Sequence, residues 1–160
     1  MENNKIMKKE TIKNIFTFLE GNEGRKTPFV WKLINDEPLT EDDLHIKGDL
    51  DLTGSEIEEL PEGLKVGGDL YLEYSSITSL PEGLEVGNHL DLRGINMESL
   101  PKGLKVGGIL DLDESAMESL PEGLEVYGDL CIADTRLEEY TDKQLRKIIL
   151  PGFIKGKIIR

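Results

Sequence analysis

The chain has 160 residues, the length of one domain with small additions at its ends. Thirty-two acids against nineteen bases give −13, which argues against a general nucleic-acid binder with its basic face. One cysteine and two histidines exclude an internal disulfide framework and multi-cysteine zinc sites, and no apolar run approaches the roughly 20 residues of a membrane helix.

In chain order, the N-terminus mixes charges into its apolar positions, unlike a secretory signal, so a cytoplasmic location is expected. Residues 8–20 place Ile12, Ile15, Phe16 and Leu19 on one helical face, with Gly21 as a stop. Phe29 to Ile34, which holds the only tryptophan, reads as an extended or short strand segment. Thr40 to Leu44 reads as a capped turn. Residues 1–45 are therefore expected to form an N-terminal cap.

A repeat of twenty residues follows. Leu-Pro-Glu-Gly-Leu stands at 60–64, 80–84 and 120–124, and Leu-Pro-Lys-Gly-Leu at 100–104. Each leads to an alternating x-Leu-x-Leu, with the pairs Leu50/Leu52, Leu70/Leu72, Leu90/Leu92, Leu110/Leu112 and Leu130/Ile132. Alternation is the mark of a half-buried strand. Leu-Pro-x-Gly fits a type I turn, with proline at its second position and glycine at its fourth. Two residues before each strand leucine stands Gly48, Gly68, Asn88, Gly108 or Gly128, a pattern that predicts positive φ there. A glycine-rich phosphate loop is excluded, because no helix and no Lys-Ser/Thr follow. One coil buries too few apolar groups to stand alone, so the coils must fold as an array.

These motifs resemble the shortest, twenty-residue bacterial and bacteriophage type of leucine-rich repeat, over residues 46–140. The resemblance implies a leucine-rich repeat solenoid with a short parallel β-sheet on the concave face, an irregular convex side and helical caps at the ends. It implies a scaffold for binding and no particular chemistry. Where the usual family carries asparagine, this chain has Ser55, Ser75, Ile95, Ser115 and Thr135. The hydroxyls are expected to bond neighbouring backbone. Ile95 cannot, and a local irregularity is expected at the third coil.

At the C-terminus, Ile154-Lys-Gly-Lys-Ile158 mirrors Ile46-Lys-Gly-Asp-Leu50, so a sixth strand is expected. The step to it is 28 residues rather than 20. The extra eight fit a helix over about 141–149 with Thr141 as N-cap. Residues 141–160 are taken as a C-terminal cap of helix plus last strand. Lys157 and Arg160 on that edge would discourage strand-to-strand aggregation.

The charge is unevenly spread. Residues 46–140 hold twenty-two acids and six bases, while residues 141–160 hold one acid and six bases. Residues flanking the inward leucines must face outward. They include Asp51, Asp69, Tyr71, Glu73, Asp91, Arg93, Asp111 and Asp113, with Tyr74 beside them. These nine residues are the candidate partner-binding set. The expected function is a non-catalytic protein-interaction module whose acidic sheet face binds a basic protein surface.

The alternative is a phage-type inhibitor that blocks the nucleic-acid groove of a host defence nuclease. Its geometry is imperfect, since rungs repeat at about 4.8 Å and duplex phosphates advance about 3.4 Å per strand. A merely solvated acidic face is a plainer reading of the same residues, and a flat sheet of single aspartates serves a calcium ladder poorly. A structural subunit of a larger assembly is a further alternative, which predicts self-association or an exposed apolar cap face around Phe29, Val30 and Trp31. His89 and Cys131 lie two coils apart, too far for a nucleophilic pair. No enzyme activity, cofactor, direct nucleic-acid contact or membrane contact is expected.

Overall fold

The computed structural model describes residues 29–160, so the helix expected at 8–20 lies outside the described residues. Contacts divide the chain between Thr40 and Glu41 into two units.

In the first unit, α1 spans Phe29–Ile34, where a strand was expected. The strand preference of aromatic and β-branched residues is weak against local hydrogen bonding. Here the backbone N–H of Asn35 donates to the Trp31 carbonyl at 3.1 Å, and its side-chain amide donates to the same oxygen at 2.8 Å. The N–H of Glu37 closes on Lys32 at 3.0 Å. Asp36, at φ 54°, then turns the chain out of the helix.

The second unit is a parallel β-solenoid. Its strands are β1 (His45–Ile46), β2 (Leu50–Asp51), β3 (Lys65–Val66), β4 (Leu70–Tyr71), β5 (Glu85–Val86) and β6 (Leu90–Asp91). They continue as β7 (Lys105–Val106), β8 (Leu110–Asp111), β9 (Glu125–Val126), β10 (Leu130–Cys131), β11 (Phe153–Ile154) and β12 (Ile158–Ile159). Odd strands form one six-stranded parallel sheet and even strands another. The even register runs Leu50, Leu70, Leu90, Leu110, Leu130, Ile158, so the expected sixth strand pairs across its longer step.

A single sheet was expected, and two form. The second is built on Val66, Val86, Val106 and Val126, which point inward and pair rung to rung. The alternation of this second sheet, Leu64-Lys65-Val66 and its equivalents, is one step long and merges with the Leu-Pro-x-Gly-Leu turn. The core lies between the two sheets and the Leu-Pro-x-Gly-Leu turns. In one coil Leu70, Leu72, Ile77, Leu80, Leu84 and Val86 are all buried.

Positive φ falls at the turn glycines Gly63, Gly83, Gly103 and Gly123, not at the row Gly48, Gly68, Asn88, Gly108 and Gly128. That row is set by closeness instead. A Cβ on Gly128 would lie 2.6 Å from the Gly108 carbonyl oxygen of the coil before. Asn88 occupies the row with the longest N–H to carbonyl bond of the series, 3.1 Å to Gly68.

The hydroxyl row also differs from expectation. Ser55, Ser75 and Ser115 bury Oγ with no hydrogen-bond partner, and only Thr135 bonds backbone, donating to the Ile132 carbonyl at 2.7 Å. The expected irregularity at the third coil is present as a gap. Ser76 bonds Ser55 and Ala116 bonds Ile95, but no equivalent bond links Asn96 to Ser75. The fully buried Ile95 side chain fills the place of a small hydroxyl there.

After a 3-10 turn over Arg136–Glu139, α2 spans Asp142–Ile148. Thr141 and Gln144 form a reciprocal capping box at its start.

Candidate interaction face

On the even sheet each strand has one inward and one outward residue. The outward row is Asp51, Tyr71, Asp91, Asp111, Cys131 and Ile159 in register. Asp69 stands two residues before Tyr71 on the same side, and Glu73, Arg93 and Asp113 stand two residues after their row members. The structure thus brings eight of the nine sequence-derived candidates onto one face, and Tyr74 lies at its border.

Most of these carboxylates hold backbone. Asp51 Oδ1 accepts from the N–H of Thr53 at 3.0 Å, and Asp111 Oδ1 accepts from Asp113 at 3.1 Å. Others reach one coil further: Asp49 accepts from the N–H of Asp69 at 2.8 Å, Asp69 from His89 at 2.9 Å, and Asp113 from Ala133 at 2.7 Å. His89 continues the series with its ring, its Nδ1 accepting from the N–H of Ile109 at 2.8 Å, which leaves Nε2 as the protonated nitrogen. In Asp49, Asp51 and Asp113 a backbone N–H fixes one oxygen, while in Asp69 and Asp111 the second oxygen is also engaged, by Tyr71 and beside Arg93. Asp49, Asp129 and His89 belong to this ladder and were not among the candidates. Their spacing of twenty residues is the signal that could have found them.

Arg93 organises the centre. Its Nε donates to both oxygens of Asp91 at 3.0 Å, its Nη2 also pairs with Glu73, and Asp111 Oδ2 stands 3.8 Å from Nε. Three carboxylates from three successive coils thus surround one guanidinium. Asp91 is only 8 % exposed and fully engaged, so it is a structural acceptor more than a free surface charge.

The tyrosines divide the same way. Tyr71 is half-buried, and its hydroxyl donates to Asp69 Oδ2 at 2.8 Å. Tyr74 is 58 % exposed and sits at φ 53°. Its ring lies over Gly94, where a Cβ would collide with it, and its hydroxyl donates to Glu114 two coils on at 3.4 Å. Glu114 is a further candidate that sequence reasoning missed. Gly54, Tyr74, Gly94, Glu114 and Asp134 all have positive φ at steps of twenty residues. The alternation of glycine with side-chain-bearing residues in that row was its signature.

The electrostatics follow from these bonds. Donation by the N–H of Thr53 holds the Asp51 carboxyl below its ordinary range. The N–H of His89, aided by the Tyr71 hydroxyl, does the same for Asp69. The bond to Asp69 in turn raises Tyr71. Asp111 is raised by burial, with Asp113 and Asp91 adding to it. Burial and the surrounding aspartates push the Cys131 thiol up to about 11, which keeps it protonated and a poor nucleophile at neutral pH.

Among the described residues no group of three His, Cys, Asp or Glu side chains converges as a metal site, and no helix is long and apolar enough to cross a membrane. Compared with known proteins, the chain matches no protein-family model, no curated protein and no solved structure at a significant level.

Proposed function

We propose that the chain is a non-catalytic interaction module of the leucine-rich repeat type, and that the outward face of its even sheet binds a basic protein surface. The observation that carries this reading is the fixed aspartate row. Backbone N–H groups lock one oxygen of Asp51 and Asp113, which orders these carboxylates in advance, while Asp69 and Asp111 are held further by Tyr71 and Arg93. Pre-organised acceptors lose little side-chain entropy when a lysine or arginine arrives. Tyr74 supplies an exposed aromatic surface beside them, the kind of group that anchors interfaces. Recognition is then mainly electrostatic and weakens with salt.

Affinity capture from host lysate tests the reading, comparing the native chain with one carrying Asp51→Lys, Tyr74→Ala and Glu114→Lys. All three positions are exposed, so the fold should survive. A basic protein retained by the native chain, lost with the variant and released by salt is the expected result. Retention of the same partner by both chains would sink it. Release of that partner by DNA or RNA would favour the alternative, an inhibitor seated in a nuclease groove.

A further inference from the structure

The odd sheet presents a second outward face of different character. Its outward residues are His45, Lys65, Glu85, Lys105, Glu125 and Phe153 in register. Two residues further along each strand comes Lys47, Gly67, Gly87, Gly107, Tyr127 or Lys155. Of the six bases in residues 46–140, three (Lys47, Lys65 and Lys105) are gathered here. They line an open, mainly apolar groove of about 530 Å³. Gly67, Gly87 and Gly107 form its floor, Lys47 stands on the rung before them, and Tyr127 stands on the rung after. Tyr127 is 48 % exposed and is braced edge-on by Phe153 at 5.0 Å between ring centres.

We propose that this groove binds an extended acidic peptide segment of a partner protein. Three independent observations support it. The first is shape. Three successive rungs lack a side chain at the glycine step, which leaves an open trough there. Close approach of the rungs favours glycine at these three positions, since a Cβ there would collide with the backbone carbonyl of the rung before, and the trough closes at Tyr127, which occupies the same step. The second is length. Lys47 to Tyr127 spans four rungs, about 19 Å at about 4.8 Å each, which accommodates five or six extended residues. The third is charge. Lys65 pairs with Glu85 at 3.0 Å and Lys105 with Glu125 at 3.7 Å, all at exposed or half-exposed positions, and Lys47 has no ion-pair partner among the described residues. Lys65 and Lys105 stand two rungs apart, about 10 Å, close to the roughly 9 Å rise of three residues on a polyproline II chain, where side chains three residues apart share one face.

The glycine N–H groups are already used, donating to Ile46, Val66 and Val86 at 2.7–2.9 Å. The peptide is therefore held by carboxylate–lysine contacts and by packing on Tyr127 rather than by adding a strand. The groove shares no residue with the acidic even-sheet face, so the two sites stand or fall separately.

Two-dimensional amide NMR of the full chain provides the test. The probe is a twelve-residue peptide with aspartate at every third position and alanine or proline between. A lysine-for-aspartate peptide and a twelve-mer of thymidylate serve as controls. Saturable shifts at Gly67, Gly87, Gly107 and Tyr127 with the aspartate peptide alone are expected, weakened at least tenfold by Lys47→Glu with Lys105→Glu. Both lysines are exposed, and unchanged even-sheet resonances would show that the variant folds. The proposal fails if those amides do not move, if the lysine peptide moves them equally, if thymidylate binds in preference, or if the folded double variant binds as well as the native chain.

Discussion

The guanidinium of Arg146 donates to the carbonyl of Gly156 at 2.7 Å, and its other terminal nitrogen donates to the carbonyl of Ile154. Everywhere else on this side of the solenoid those two acceptors are used by the next coil. Gly67 donates to Ile46 and Gly68 to Gly48, and Ile154 and Gly156 are the equivalents of Ile46 and Gly48 in the last coil. Arg146 thus stands in for two backbone N–H groups of a following rung. A planar fork can span two carbonyls, and a lysine ammonium cannot do so with the same geometry. Arg146→Ala should lower stability by about 2 kcal/mol, and Arg146→Lys should recover less than half of that. Hydrogen exchange at Phe153 and Lys155 should quicken more than at central rungs such as Leu90.

The unbonded serine hydroxyls make an opposite prediction. Ser115 buries Oγ without a partner, at a position where the third coil carries Ile95 fully buried. Removing an unsatisfied hydroxyl takes away its desolvation penalty, so Ser115→Ala should raise stability by about 1 kcal/mol. Thr135→Ala should instead lower it by about 1 kcal/mol. Its Oγ1 donates to Ile132 and accepts from the N–H of Leu137 at the start of the 3-10 turn. Urea midpoints at unchanged m-value would check both signs.

The glycine row separates a neighbour effect from a conformational one. A Cβ at Gly128 would collide with the Gly108 carbonyl, whereas one at Gly48, on the first rung, meets nothing within 4 Å. Neither residue has positive φ. Gly48→Ala should therefore be neutral or stabilising by about 0.5 kcal/mol through the unfolded chain. Gly128→Ala should destabilise by about 1–3 kcal/mol, because backbone must shift to admit the methyl group. Thermal melts of the pair would decide it. Equal melting temperatures would mean that the row is not governed by rung-to-rung approach.

The same row shows where sequence reading succeeded and where it stopped. The even sheet, its register and the buried leucines follow from a twenty-residue period with x-Leu-x-Leu alternation, both local and repeated. The reason for Gly68 or Gly128 is a carbonyl twenty residues away, and composition at one position cannot tell close approach from positive φ. The odd sheet escaped because its alternation, Leu64-Lys65-Val66 and its equivalents, is a single step that merges with the end of the Leu-Pro-x-Gly-Leu turn. Position fixed which acids face outward. It did not show that Asp69 serves the His89 N–H or that Asp91 is consumed by Arg93, since each depends on the coil alongside.

Acid response tests the aspartate row with two opposite signs. Asp51 and Asp69 are depressed below the ordinary 3.8 by backbone N–H donors. Their contribution to stability is present above that value and is lost as pH falls through their lower folded values. Asp111 is raised above 3.8, chiefly by burial and then by Asp113 and Asp91. Its ionised form is disfavoured in the fold, so at neutral pH it costs stability, and that cost is relieved as pH falls through its folded value toward 3.8. Asp111→Asn keeps an oxygen to accept from the Asp113 N–H while removing the charge. It should raise the melting temperature at pH 7, with the gain vanishing by about pH 3, where the native carboxyl is protonated in both states. Asp69→Asn should do the reverse, lowering stability at pH 7 and converging with the native chain only in stronger acid. Melting curves from pH 2 to 8 would check the pair. If Asp111→Asn were destabilising at pH 7, the attraction of Arg93 would outweigh burial, and Asp111 would belong with Asp91 as an internal ion-pair partner rather than with the outward-facing acceptors.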